Sequence, residues 1–151
     1  MKLSTLAAFA LLGLAVPLAA VAAPDIIRVG PAGAPISGVV VVKGAVAYAS
    51  GVPGAPSAGD TKAQTIDSLT KLLAGLKAQG FGPGDIVMMR VYLVGDPAMG
   101  GKMDFAGMNA AFKQFFGTPD QPNKPSRTTV QVAGLAAPGS MVEIEAQAIK
   151  P

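Results

Sequence analysis

Residues 125–148 read PSRTTVQVAGLAAPGSMVEIEAQA, and they contain two runs with a two-residue period. In the first, Thr128, Val130 and Val132 alternate with Arg127, Thr129 and Gln131. In the second, Val142, Ile144, Ala146 and Ala148 alternate with Met141, Glu143, Glu145 and Gln147. Such alternation sends successive side chains to opposite faces of a β-strand, so each run has a mainly apolar face and a polar one. The Leu135-Ala-Ala-Pro-Gly-Ser segment between them has turn composition, which predicts a hairpin with a long loop. In that pairing Arg127, Thr129, Glu143 and Glu145 share one face of one sheet.

Upstream, residues 104–116 carry Phe105, Met108, Phe112 and Phe115 at helical spacing behind a capping Asp104. These rings and thioethers are read as core. Residues 86–94, IVMMRVYLV, have the β-branched content and length of a strand, with Val87, Met89, Val91 and Leu93 on one face. Before them, Asp60 is a good N-cap for a helix over 61–79, whose stripe is Ala63, Ile66, Leu69, Leu73 and Leu76. Gly80 follows as its stop. Residues 38–42 and 45–50, joined by Lys43-Gly44, form a first hairpin, and 51–59 is a Gly- and Pro-rich loop. The order strand, strand, helix, strand, helix, strand, strand predicts an α+β fold: a single mixed β-sheet with two helices packed on one face. Its other face mixes Val, Met, Thr and Tyr with Arg and Glu. That face is too apolar for water and too charged for a core, so a second copy of the chain is expected to cover it.

Residues 1–22 read as a secretory signal peptide: Lys2, an apolar stretch from Leu6 to Val16, then Ala20-Val21-Ala22 at the cleavage site. The expectation is an exported protein, periplasmic or secreted, with an extended arm over 23–35 and one domain over 36–151. Lys2 leaves with the signal, so 11 basic residues face 9 acidic ones. A net charge of +2 with no basic run gives no nucleic-acid footprint. No later apolar run is long enough to span a bilayer. The chain has neither Cys nor His. That removes a thiolate nucleophile, an imidazole base and the usual zinc ligands, and no metal or cofactor is expected. Carboxylate, Lys, Tyr, hydroxyl and backbone remain for acid–base work.

The chain resembles the Rid/YjgF family of enamine and imine deaminases. The resemblance is carried by Pro125-x-Arg127 and by Glu143-Ile144-Glu145-Ala146. Further marks are Ala49-Ser50-Gly51, Asp60-x-x-x-Gln64, Leu76-x-x-x-Gly80, Gly84-Asp85-Ile86-Val87 and Met108-Asn109 with Phe115-Phe116. It implies a chorismate-mutase-like fold and a homotrimer with pockets between subunits. The implied reaction is cofactor-independent hydrolysis of 2-imino acids to 2-keto acids and ammonia. By this resemblance Arg127 clamps the substrate carboxylate, Glu143 orients water or moves protons, and Ser50 and Asn109 line the pocket. Thr129 stands at the substrate-binding position where many relatives have Cys, so its hydroxyl is expected to keep a hydrogen bond there but cannot act as a thiol. Ala34-Pro35-Ile36-Ser37 replaces a Gly-Pro-Tyr common in the family, leaving no aromatic there. On the residues alone, Arg127 and Glu143 read first as an ordinary ion pair across strands. Two other functions stay open: a non-catalytic small-carboxylate binder using the same arginine, and a holdase-like protein.

Overall fold

The computed structural model describes residues 26–32, 37–42 and 46–150. The signal segment, the Ala34–Ile36 substitution site and the Lys43-Gly44 turn lie outside the described residues. Six strands form one sheet: β1 (Ile26–Val29), β2 (Val39–Val42), β3 (Val46–Pro53), β4 (Ile86–Val94), β5 (Ser126–Val132) and β6 (Val142–Ile149). The helices are α1 (Thr61–Ala78) and α2 (Phe105–Phe112). The spatial order is β1-β2-β3-β6-β4-β5. β4 and β5 run parallel, and every other neighbouring pair is antiparallel. A parallel pair needs a crossover, which α2 supplies between β4 and β5.

β5 and β6 are therefore not a hairpin. β4 lies between them, pairing with β5 on one edge and with β6 on the other. The reason is burial: Met89, Val91 and Leu93 of β4 are at most 1% exposed, so this strand belongs inside the sheet and not at its edge. The insertion changes the faces as well. Met89 aligns with Arg127 and Val91 with Thr129, whereas Arg90 aligns with Glu145 and Tyr92 with Glu143. Side chains aligned in register share a face. Arg127, Thr129 and Gln131 thus point to the helix side, and Glu143, Glu145 and Gln147 to the open side. The apolar set of β5 is on the open side too, where Val130 is 41% exposed.

The core sits between the sheet and α1, built from Leu69, Leu72 and Leu76 against Ala47, Ala49, Ile144 and Ala146. Each of those leucines contributes about 1.5–3 kcal/mol on burial. That exceeds the roughly 1 kcal/mol of the Asp60 cap, whose carboxylate accepts from the Ala63 amide at 2.8 Å. Docking, more than capping, holds α1 in place. Its buried stripe is rotated from the expected one: Gln64, Thr65, Ser68 and Leu72 are buried, while Ala63, Ile66 and Leu73 are half-buried at the flank. The buried polar side chains of α1 are all paired. Gln64 donates to the Gly59 carbonyl and accepts from the Met141 amide, and Ser68 donates to the Val52 carbonyl.

Two irregularities position functional side chains. In β4 the register shifts between Ile86 and Met88, so Ile86 turns inward and Val87, expected inward, is 43% exposed. In β3 the register shifts between Ala49 and Val52, which places Ser50 and Gly51 in a bulge opposite β6. Strand β3 also continues through Pro53, into residues expected to be loop.

Candidate functional site

Arg127 projects from β5 under α2. Its guanidinium donates to the Asn109 carboxamide oxygen at 2.6 Å and lies 4.5 Å from the Phe112 ring centre and 5.8 Å from that of Phe105. Phe105, Asn109 and Phe112 are spaced i, i+4, i+7, so one face of α2 presents the amide between two rings. The helix is fixed there by Asp104, whose carboxylate accepts from the Gly107 amide at 2.8 Å. Burial pulls the Arg127 pKa below its ordinary value, but a guanidinium stays charged in neutral water. Among the described residues it has no carboxylate partner, so most of its planar donor fork is free for a two-oxygen anion. The cleft before it has a volume of about 630 Å³ and is walled by Phe112, Phe116, Lys113 and Lys124.

Thr129 lies two residues along the same face, and its buried hydroxyl has no hydrogen-bond partner among the described residues. The hydrogen bond expected of it is not made within one copy.

Glu143 belongs to a different group on the open face. An added Cβ on Gly51 would overlap its carboxylate, so that side chain folds over the bulge where only glycine leaves room. Ser50, beside it, donates its hydroxyl to the Ser37 carbonyl. Glu143 has no ion-pair partner among the described residues. The ion-pair reading of Arg127 with Glu143 fails within one chain, because the two occupy opposite faces of the sheet. The cross-strand pair that does form is Arg90 with Glu145, at 2.9 Å, with the Tyr92 hydroxyl 3.1 Å from the same oxygen. Burial first, and then the bond to Glu145, raises the Tyr92 pKa.

Of the residues singled out in the sequence, the chain therefore gathers Arg127, Asn109 and Thr129 on one side and Ser50 and Glu143 on the other. Phe112 is buried core as its spacing predicts, whereas Phe105, also expected in the core, is 45% exposed; both flank the Arg127 guanidinium. Their spacing around Asn109 was the available signal.

The family model described as endoribonuclease L-PSP matches residues 30–150. The chain belongs to this family, the Rid/YjgF family. A RutC family protein of Pyrococcus horikoshii is 36% identical over 92 residues, which are 61% of this chain and 64% of that protein. The match thus spans less than two thirds of that curated relative. Among solved structures, Escherichia coli TdcF with bound serine is 33% identical with a TM-score of 0.64, covering 82% of this chain and 94% of that one. A YjgF/YER057c/UK114 family member from Mycobacterium tuberculosis, Rv2704, is 27% identical with a TM-score of 0.67, covering 83% and 100%. The Rid/YjgF fold is thus this chain's fold, with its two helices on one face of a six-stranded mixed sheet. Family membership also supports a role in processing small molecules.

Proposed function

We propose that this Rid/YjgF protein hydrolyses small 2-imino or 2-amino-enoic acids to 2-keto acids and ammonia, without a cofactor, in pockets shared between the copies of a homotrimer. The observation that carries this reading is the Arg127 guanidinium, half-buried between two rings and Asn109, with donors free for a carboxylate. A relative of this fold, TdcF, has serine bound, a ligand of the size and charge the reading calls for.

In this reading Arg127 holds the carboxylate and presents C2 of the imine to the open side of the cleft. Glu143 of a neighbouring copy orients a water molecule. The water oxygen adds to C2 and its proton passes to nitrogen by way of the carboxylate. The carbinolamine then collapses: the C2 hydroxyl gives its proton to nitrogen by way of the same carboxylate, the C–N bond breaks, ammonia leaves, and the C2 oxygen becomes the keto group. Proton transfer of this kind contributes typically 10²–10⁴-fold. Ser50, on the bulge beside Glu143, retains lone pairs to accept from the same water. The signal-like residues 1–22 would carry this activity out of the cytoplasm.

The test is to generate 2-iminobutyrate in place with an amino-acid oxidase and follow its trapping by semicarbazide. Addition of the mature protein should lower trapping and speed release of 2-oxobutyrate and ammonia. Unchanged trapping at micromolar protein would contradict the proposal.

A further inference from the structure

The cleft before Arg127 holds more positive charge than one carboxylate needs. Lys113, one residue past the last turn of α2, and Lys124, before β5, both line it. No acidic side chain does. Among the described residues the ion pairs are Lys71–Asp67 and Arg90–Glu145, so neither lysine is paired with a carboxylate there. The cleft's volume of about 630 Å³ falls among pockets for ligands much larger than a three-carbon acid.

The placement of Lys124 is built into the loop. Gly117, at φ +72°, turns the chain after α2, and an added Cβ there would overlap the Lys124 stem, so the two are packed together. The intervening residues are tied down. Thr118 and Gln121 exchange bonds, the amide of each reaching the carbonyl or hydroxyl of the other. The Gln121 carboxamide both donates to the Asn123 carbonyl and accepts from its amide. An ordered turn thus delivers the second ammonium to the cleft, while the Phe112 and Phe116 rings, 5.8 Å apart, supply an apolar floor.

We infer that Lys113 and Lys124 form a second anion subsite, and that this pocket takes 2-imino and 2-keto acids whose side chain ends in a second carboxylate. Arg127 takes the carboxylate next to the reacting carbon, the rings face the intervening methylenes, and the lysines take the far end. The assignment of Arg127 as the clamp rests on the function proposed above. Lysines suit the outer position because an ammonium binds as a flexible point charge, without the fixed fork of arginine.

Titration calorimetry with the mature protein tests this, using 2-oxoglutarate against 2-oxobutyrate. 2-Oxoglutarate should bind about tenfold tighter or more, with the gap narrowing as salt rises. The double variant Lys113→Ala/Lys124→Ala changes two exposed side chains, so folding should be kept. It should abolish the preference by lowering 2-oxoglutarate affinity far more than 2-oxobutyrate affinity. Lys62→Ala/Lys77→Ala, removing the same two charges from exposed positions of α1, should preserve it. Equal affinities in the parent, or a preference that survives in the double variant, would overturn the subsite. Failure of both acids to bind overturns the clamp and the subsite together. A lysine-dependent preference in a protein that hydrolyses no imine upholds the subsite while removing the reaction. Hydrolysis of 2-iminobutyrate without any preference between the acids removes the subsite alone.

Discussion

Arg127 and Glu143 lie on opposite faces of one sheet, with β4 between their strands: Met89 aligns with Arg127 on the helix side, and Tyr92 aligns with Glu143 on the open side. One copy of the chain cannot bring the two together without breaking the sheet. If both act on one substrate, they do so from different copies. The exposed Tyr48, Val87 and Val130 on the open face offer the apolar surface such an assembly would cover.

Arg127 is the side chain whose loss should matter most for ligand binding. Arg127→Ala removes a bidentate, partly buried charge and should cost about 2–5 kcal/mol of keto-acid affinity or transition-state stabilisation. Arg127→Lys keeps the charge but not the fork, and should recover only part of it. Calorimetry with 2-oxobutyrate reads both. Unchanged affinity in a folded Arg127→Ala protein would leave Arg127 a packing residue of α2.

Thr129 carries a buried hydroxyl with nothing to bond among the described residues. An unpaired buried hydroxyl costs about 1–3 kcal/mol, so the near-isosteric Thr129→Val should raise the melting temperature of the ligand-free protein. The same change should weaken keto-acid binding if the hydroxyl is kept for ligand. A fall in melting temperature would mean that the hydroxyl already has a partner, supplied by another copy.

Tyr92 gives a pH prediction. Its folded pKa is raised above 10.0, so the fold favours the neutral phenol. The stability linked to it is fully present below about pH 10 and is lost as pH climbs through the folded value. Tyr92→Phe keeps the ring but cannot ionise. It should therefore lose less stability than the parent as pH rises above about 10, as read by denaturant midpoints. Identical slopes would show that other groups govern the alkaline loss.

Much of this architecture was readable from periodicity. Both helices, the β4 strand and the strands around residues 128 and 144 appear where alternation or helical spacing places them, although α2 stops at Phe112, four residues short of the expected end at Phe116. What periodicity does not contain is which strand lies next to which. The residues 133–141 between β5 and β6 suit a hairpin loop, and they equally well span the width of β4. The α1 stripe was drawn from apolar residues alone, yet Gln64 and Ser68 are buried because loop carbonyls and amides need their bonds. Hydropathy does not carry that requirement. For the site, Arg127, Asn109, Glu143 and Ser50 were singled out, but their division between two faces follows from the β4 insertion. The bulge at Ser50 and Gly51, which gives Glu143 its place, left no mark in the pattern beyond the glycine itself.

The central claim is that one pocket takes Arg127 from one copy and Glu143 from another, and subunit mixing tests it most directly. Arg127→Ala and Glu143→Gln should each abolish most imine hydrolysis alone, the latter by roughly 10²–10⁴-fold in turnover with keto-acid binding kept. Refolding the two variants together in equal amounts allows random trimers. A pocket is intact when its arginine comes from a Glu143→Gln chain and its glutamate from an Arg127→Ala chain, which is about one pocket in four for a closed ring of three. The mixed sample should therefore regain about a quarter of the parent's hydrolysis rate, and the separately refolded variants, combined without exchange, should regain none. Mixed trimers as inactive as either variant alone would contradict the shared pocket.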